Sequence, residues 1–198
     1  MNKIITLREE VFLKVNEILK NKALILICGK SGSGKSILLQ RMAKYHDVEY
    51  IDEIFKDEKE FRDVINKRKS DILILDEVGM YEAKILELIR IYSDQMSFIL
   101  SSHKKISLFE KEYFKSRFDA VFWLENLDVR ELHMYIKSKF NVDFSRKTMK
   151  IIMKIYQGNL RYIDKMLKSF CELDSYFKNT KSQDYILKLS ALENGLLR

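Results

Sequence analysis

Hydrophobic positions along this chain follow two different periods. Five short apolar runs bounded by turn residues are typical of buried strands, and they lie at residues 23–28, 48–51, 71–75, 97–100 and 120–124. Between them, helical spacing of apolar residues predicts amphipathic helices over residues 7–19, 35–45, 58–69 and 81–92. Strands that alternate with helices predict an α/β fold in which a parallel five-stranded sheet is sandwiched by helices.

The pattern changes after Asn126, where only helical spacing follows. It predicts helices over residues 129–140, 145–156, 160–173 and 183–192, with no strand among them. We therefore expect two domains: an α/β body with an N-terminal helix over residues 1–126, and a small all-helical lid domain with a C-terminal helix over residues 127–198. Residues after Asp174 match no motif that would predict their role.

Composition narrows the class of protein. The 198 residues include no Pro and six Gly, whereas an average sequence of this length holds about ten Pro, so long helices are favoured over a turn-rich sandwich. Two distant Cys and three scattered His predict neither a disulfide framework nor a zinc site. No apolar run reaches the roughly 18 residues of a membrane span, so we expect a soluble, cytoplasmic protein. Aromatic residues such as Tyr50 have core spacing.

Charge is unevenly distributed along the chain. Residues 1–125 carry 22 Lys and Arg against 21 Asp and Glu, whereas residues 126–198 carry 14 against 8, so most of the net charge of +7 is C-terminal. The excess concentrates between Phe144 and Phe170, where Asp164 is the single acid. A solvated helix face and a surface for phosphate backbone or an acidic partner both fit this pattern. The candidate surface residues are Arg146, Lys147, Lys150, Lys154, Lys165 and Lys168.

The strongest chemical signal is a glycine-rich motif after the first predicted strand. Residues 29–36, GKSGSGKS, match G-x-x-x-x-G-K-[ST] at every fixed position, in the strand–loop–helix context that this P-loop motif requires. Glycines let backbone N–H groups turn toward phosphates, and the following helix attracts the anion. Lys35 is predicted to contact the β- and γ-phosphates of ATP, and Ser36 to ligate Mg²⁺. The predicted nucleotide-binding residues are Gly29, Lys30, Ser31, Gly32, Ser33, Gly34, Lys35, Ser36 and Ile37.

A later strand ends in an acidic pair, Asp76 and Glu77. In this pattern the first acid serves Mg²⁺ and the second polarises the attacking water, so we predict a metal residue and a catalytic base. Residues 76–79, DEVG, also fit the D-x-x-G of GTPases, but no N-K-x-D guanine motif follows, and ATP is preferred. Lys35 and Asp76 are 41 residues apart, which leaves no room for the helical domain that an ABC-type ATPase has between these motifs. A phosphotransferase that acts on a small molecule remains an alternative.

With these motifs the chain resembles a minimal AAA+ P-loop ATPase, from about Arg8 to about Leu173. The resemblance implies a Mg²⁺-dependent ATPase that forms a homo-oligomer on ATP binding. It also implies a polar sensor residue after the fourth strand, and both Ser102 and His103 occupy that place. His103 aligns best with the usual Asn or Asp of the family, and Ser102 is the competing candidate.

Two arginines extend the resemblance. Arg117, within KSRF at residues 115–118, lies where the family holds an arginine finger, which acts on the nucleotide of a neighbouring subunit. Arg161 ends the sequence QGNLR at residues 157–161, which is similar to the lid motif whose arginine contacts the phosphates. Within it, Gly158 suits a helix end and Asn159 suits an N-cap. These roles imply a catalytic site that is completed between subunits.

The resemblance and the basic lid favour an ATPase that assists a DNA transaction such as replication, transposition or a mobile-element function. The initiator and transposition-helper branches of the family are nearest. Two other classes stay open: a nucleotide-dependent switch, adaptor or remodelling chaperone without DNA contact, and a phosphotransferase. Because 198 residues are filled by the body and the lid, we expect an unidentified protein partner to provide further specificity.

Overall fold

The computed structural model describes residues 7–178 and 180–197. Residues 1–6, 179 and 198, which the two predicted domains include, lie outside the described residues. Within the described part the chain forms two compact units, one of Arg8–Leu124 and one that joins Leu7 to the residues from Glu125 onward. The division falls where alternating strands and helices give way to helices alone.

Five strands of the first unit form one sheet in the order β2-β3-β4-β1-β5. Each neighbouring pair is parallel, so the carboxyl ends of the strands meet at one edge of the sheet. The predicted parallel five-stranded sheet is therefore confirmed. Its strands are β1 Leu24–Gly29, β2 Tyr50–Ile51, β3 Ile72–Leu75, β4 Ser97–Ser102 and β5 Ala120–Leu124.

The helices of this unit alternate with the strands, as the hydrophobic spacing predicts. The sequence pattern missed three short elements, however. A 3-10 helix at Val78–Met80 lies between β3 and α4, and a 3-10 helix at Ser107–Glu110 and the short helix α5 lie between β4 and β5. Each of the two 3-10 helices and α5 spans only three or four residues, which is too short for a hydrophobic period to repeat. The helices are α1 Glu9–Ile18, α2 Lys35–His46, α3 Glu58–Lys67, α4 Ala83–Tyr92 and α5 Glu112–Lys115.

The three central strands of the sheet, β3, β4 and β1, are buried on both faces. Along β1, Leu26 and Cys28 pack in a cluster with residues of α3 and α4, whereas Ile25 and Ile27 pack in a second cluster with residues of α1 and α2. This two-sided burial explains why β1 is continuously apolar rather than alternating. Burial also raises the pKa of the Cys28 thiol, which is not part of a disulfide.

The second unit contains helices only, among its described residues. The helices are α6 Val129–Phe140, α7 Arg146–Tyr156, α8 Leu160–Phe177 and α9 Gln183–Glu193. Each begins after an N-cap residue whose side chain accepts a backbone N–H, and these caps are Asp128, Ser145, Asn159 and Ser182. The helix α8 extends past the predicted end at residue 173 to Phe177. No helix in the described residues combines the length and apolarity needed to cross a membrane.

The turn between α7 and α8 depends on Gly158. Its φ is +81°, and a Cβ built there would lie 2.3 Å from Oδ1 of Asn126. Both facts exclude a larger residue, because positive φ and this close approach favour glycine alone. The sequence prediction of a helix end at Gly158 and an N-cap at Asn159 is confirmed.

We expect Ile99→Ala to destabilise the first unit by about 2–5 kcal/mol, because it removes a fully buried side chain from the central strand β4. Urea unfolding followed by circular dichroism measures the change. Val121→Ala, at a position 45% exposed on β5, is the matched control, with an expected loss of less than about 1.5 kcal/mol. Equal losses for both variants would contradict the two-sided burial of β4.

Candidate active site

The glycine-rich motif forms the loop between β1 and α2. The strand ends at Gly29 and the helix begins at Lys35. Gly32 and Gly34 have φ values of +80° and +95°, which residues with a Cβ rarely adopt. Because the first N–H groups of a helix have no partner within it, the start of α2 offers donors to an anion held by this loop.

The Lys35 side chain lies between this loop and the acidic pair. Its Nζ donates to the carbonyl oxygens of Gly29, at 2.8 Å, and Lys30, at 3.3 Å. The same nitrogen lies 4.0 Å from Oε1 of Glu77, and the side chain is only 4% exposed. One positive charge therefore connects the phosphate loop with the end of β3.

Two features of the loop were not predicted from the sequence. Arg8, which is buried, donates from its guanidinium to the carbonyl oxygen of Ser33 at 3.0 Å; no local signal distinguishes this arginine in the sequence. The Ser33 hydroxyl is buried and has no hydrogen-bond partner among the described residues. Since an unpaired buried hydroxyl is unfavourable, this atom fits an oxygen-rich ligand such as phosphate.

Asp76 and Glu77 follow β3 at the carboxyl edge of the sheet. Asp76 is buried, while Glu77 is 39% exposed. Glu77 has a φ of +53°, an uncommon conformation for a residue with a Cβ, and its Oε2 lies 2.7 Å from Nδ1 of His103. The backbone thus sends two adjacent carboxylates into different surroundings, one inside the protein and one beside solvent.

Three donors surround the Asp76 carboxylate. Its Oδ2 accepts the Tyr50 hydroxyl at 2.6 Å, and its Oδ1 accepts the Ser101 hydroxyl and, at 3.0 Å, the Glu77 N–H. Burial, and then the hydrogen bond to Asp76, raise the pKa of Tyr50, so its hydroxyl keeps the proton that it donates. Tyr50 is therefore a polar contact of the site rather than the plain core residue that its spacing predicts.

Sequence reasoning missed the roles of Tyr50 and Ser101 because neither is close to Asp76 along the chain. They lie on β2 and β4, the strands that flank β3 in the sheet. A polar side chain near the end of each flanking strand is the only signal that the sequence offers, and it becomes informative once the strand order is known.

The two candidate sensor residues differ in their contacts. Ser102 is fully buried, and its hydroxyl donates to the carbonyl oxygen of Lys104 at 2.7 Å. His103 is exposed and contacts the Glu77 carboxylate. Among the described residues, His103 therefore makes a hydrogen bond to the acidic pair, whereas the Ser102 hydroxyl donates elsewhere.

Arg117 lies apart from the phosphate loop of its own chain. It precedes β5, at the amino-terminal edge of the sheet, and pairs with Asp94, which precedes β4. The loop lies at the opposite edge, and β5 alone spans five residues, or about 16 Å. The nearest acid in sequence, Asp119, instead accepts the N–H of Leu24 at 2.8 Å.

Arg161 belongs to the helical unit, in the first turn of α8. Its side chain is exposed, and its backbone N–H donates to Oδ1 of Asn159 at 3.0 Å. The predicted contact of Arg161 with phosphates stays a prediction.

The basic residues of α7 and α8 are exposed. Asp164, the one acid in this stretch of sequence, accepts hydrogen bonds from the Tyr135 hydroxyl and from Lys139 Nζ, both at 2.7 Å and both on α6. Its charge is thus engaged away from the basic residues. The exposed basic residues of α7 and α8 are Arg146, Lys147, Lys150, Lys154, Lys165 and Lys168.

Solved structures similar to this chain include that of Thermotoga maritima RuvB, described as a Holliday junction branch migration motor. It matches with a TM-score of 0.72 and 18% identity, over 93% of this chain and 66% of that chain. A variant of the same protein matches with a TM-score of 0.73 and 17% identity, over 93% and 66%. No family model and no curated protein sequence matches the chain.

The likeness to RuvB concerns the fold. RuvB is an AAA+ P-loop ATPase, and this chain has the same parallel sheet flanked by helices, followed by a C-terminal helical region. The chain spans just under two thirds of the RuvB chain that it matches. The predicted fold, a parallel five-stranded sheet flanked by helices and followed by a helical region, is therefore confirmed as the fold of the RuvB chain.

Proposed function

We propose that this chain is a Mg²⁺-dependent ATP-binding and ATP-hydrolysing module of the AAA+ type. The observation that carries the proposal is the convergence of the glycine-rich loop, Lys35 and the acidic pair at one edge of the sheet. Lys35 Nζ lies within hydrogen-bond distance of the loop carbonyls and 4.0 Å from Glu77. A triphosphate bound by the loop would therefore meet the lysine and the acid together.

Each residue of this group has a distinct role in the proposal. Lys35 and the loop N–H groups bind phosphate oxygens, with the helix α2 favouring the negative charge. Ser36 and Asp76 offer the hard oxygen ligands that Mg²⁺ prefers, and the ion, when bound, neutralises phosphate charge. Glu77 accepts the proton of the attacking water, while His103 holds the Glu77 carboxylate in position through Nδ1.

Replacing the base tests hydrolysis separately from binding. We expect Glu77→Gln to retain ATP affinity and to lower the steady-state ATPase rate about 10²–10⁴-fold, because the amide cannot accept the proton. ATP binding is measured by calorimetry and turnover by phosphate release. Glu82→Gln, at the exposed N-cap of α4, is the control and should hydrolyse normally. Normal turnover by Glu77→Gln would remove the base assignment, and binding without turnover in the natural chain would favour a nucleotide switch.

We further propose that Arg117 acts on the nucleotide of a neighbouring copy. Its position at the sheet edge opposite the loop keeps it away from the nucleotide of its own chain, while its side chain stays 39% exposed. An arginine supplied by a second copy stabilises charge that develops on the transferred phosphoryl group. Homo-oligomerisation on ATP binding is part of this proposal.

Mixing two inactive variants tests this assignment. Arg117→Ala should lower the ATPase rate about 10³-fold or more, and mixing it with Glu77→Gln should restore activity, because mixed interfaces contain one intact Glu77 and one intact Arg117. Asp94→Asn is the matched control, since it breaks the same ion pair but keeps the arginine, and its rate should stay near normal. A mixture as inactive as its components, or an equal loss in Asp94→Asn, would contradict action across an interface.

We propose DNA as the polymer on which the module works. Support comes from the exposed basic residues of α7 and α8, since Asp164, the one acid within residues 144–170, is engaged by α6. RuvB, whose structure has the same fold, is a Holliday junction branch migration motor, and such a junction is a DNA structure. A further protein partner that selects the DNA site belongs to the same proposal. Basic side chains of this kind contact phosphate backbone independently of sequence.

The salt dependence of DNA binding tests this surface. Replacing Lys147, Lys150 and Lys154 together with Gln should reduce the slope of log affinity against log salt by up to about three, because each lost phosphate contact removes about 0.9. Fluorescence anisotropy with duplex DNA of random sequence gives the slope. The matched control replaces Lys56, Lys59 and Lys67, exposed lysines around α3, and should leave the slope unchanged. Equal slopes for both triple variants, or no binding at low salt, would contradict the proposed DNA surface.

A further inference from the structure

The Asp76 carboxylate has little remaining capacity to accept hydrogen bonds. An ionised carboxylate offers about four acceptor sites, two on each oxygen. Oδ1 already accepts the Ser101 hydroxyl and the Glu77 N–H, and Oδ2 accepts the Tyr50 hydroxyl. Among the described residues these donors therefore leave one acceptor site, and it is on Oδ2.

Tyr50 contacts Asp76, one of the two residues that are proposed to hold the metal, through a hydroxyl that donates at 2.6 Å. Burial and Asp76 raise the pKa of Tyr50, and a smaller effect of the other metal residue, Ser36, lowers it. Ser36 follows the phosphate loop in α2, and Asp76 follows β3. The one open acceptor site of Asp76 is thus on the oxygen that accepts the Tyr50 hydroxyl.

The carboxylate is held from both sides by rigid elements. Tyr50 lies on β2 and Ser101 lies on β4, and each strand pairs directly with β3. Tyr50 is half-buried, and Ser101 is fully buried, so neither hydroxyl has much freedom to leave. Rotation of the Asp76 carboxylate would break both contacts, which fixes the direction in which it can accept a further ligand.

We infer that Tyr50 is a positioning residue for the metal, because it fixes the direction of the open acceptor site of Asp76. The inference rests on the proposed Mg²⁺-dependent binding of ATP. The strand β2, which has only two residues, would then contribute to metal affinity, although Tyr50 belongs to neither of the two sequence motifs that predict the site. Tyr50 does not contact the nucleotide in this role, and it acts through Asp76.

Tyr50→Phe removes the hydroxyl and keeps the ring. Binding of a fluorescent ATP analogue labelled on the ribose is measured in EDTA and then as a function of MgCl₂. In EDTA, Tyr50→Phe should bind the analogue with unchanged affinity. In MgCl₂, it should need about tenfold more Mg²⁺ to reach half of the full effect of Mg²⁺ on analogue affinity, as expected for a residue that orients a metal ligand. Ser101→Ala removes the second hydroxyl on Asp76 and should shift the Mg²⁺ requirement in the same direction. Tyr45→Phe, on the exposed end of α2, is the control and should match the natural chain.

The outcomes separate this inference from the function on which it rests. If the natural chain binds the analogue without any effect of Mg²⁺, or does not bind it, the proposed function fails. If the natural chain responds to Mg²⁺ and Tyr50→Phe responds at the same concentration, the positioning role is overturned. Equal loss of affinity in EDTA and in Mg²⁺ would also overturn it, because Tyr50 would then support the phosphate loop rather than the metal.

Discussion

Parallel pairing of five strands, of which the central three are buried on both faces, is the constraint on which the first unit depends. Because all strands run in one direction, the residues that follow β1, β3 and β4 emerge at the same edge. The phosphate loop, the acidic pair and His103 come from distant parts of the chain and meet there for this reason. The same geometry sends Arg117, which precedes β5, to the opposite edge.

Burial of charge gives this edge its chemical character. Lys35 and Asp76 are both almost fully buried, which is unfavourable for isolated charges. Lys35 is compensated by two loop carbonyls and by Glu77, and Asp76 by two hydroxyls and a backbone N–H. These contacts hold the charged groups in fixed directions before any ligand arrives, so binding need not reorganise them.

The helical unit has a different physical basis. Its helices are amphipathic, each begins at a side-chain cap, and the turn at Gly158 is fixed by positive φ and by Asn126. Such signals are local, so the sequence predicted all four helices, and the largest error was at the end of α8. The basic face results from the same periodicity, since apolar positions turn inward and lysines are left outside. Asp164 pairs with α6 instead, and this contact could be found only once the packing of α6 against α8 was known.

The sequence by itself determined the strands, the longer helices, the phosphate loop and the acidic pair, because hydrophobic periodicity and loop chemistry act over a few neighbouring residues. It did not determine the short helices before β5, whose length is below one hydrophobic period. Only the tertiary structure decided that Tyr50 and Ser101 hold Asp76, that His103 rather than Ser102 contacts Glu77, and that Arg8 supports the loop. Those contacts join residues far apart in the chain, and they depend on strand order and side-chain direction, which a local pattern does not encode.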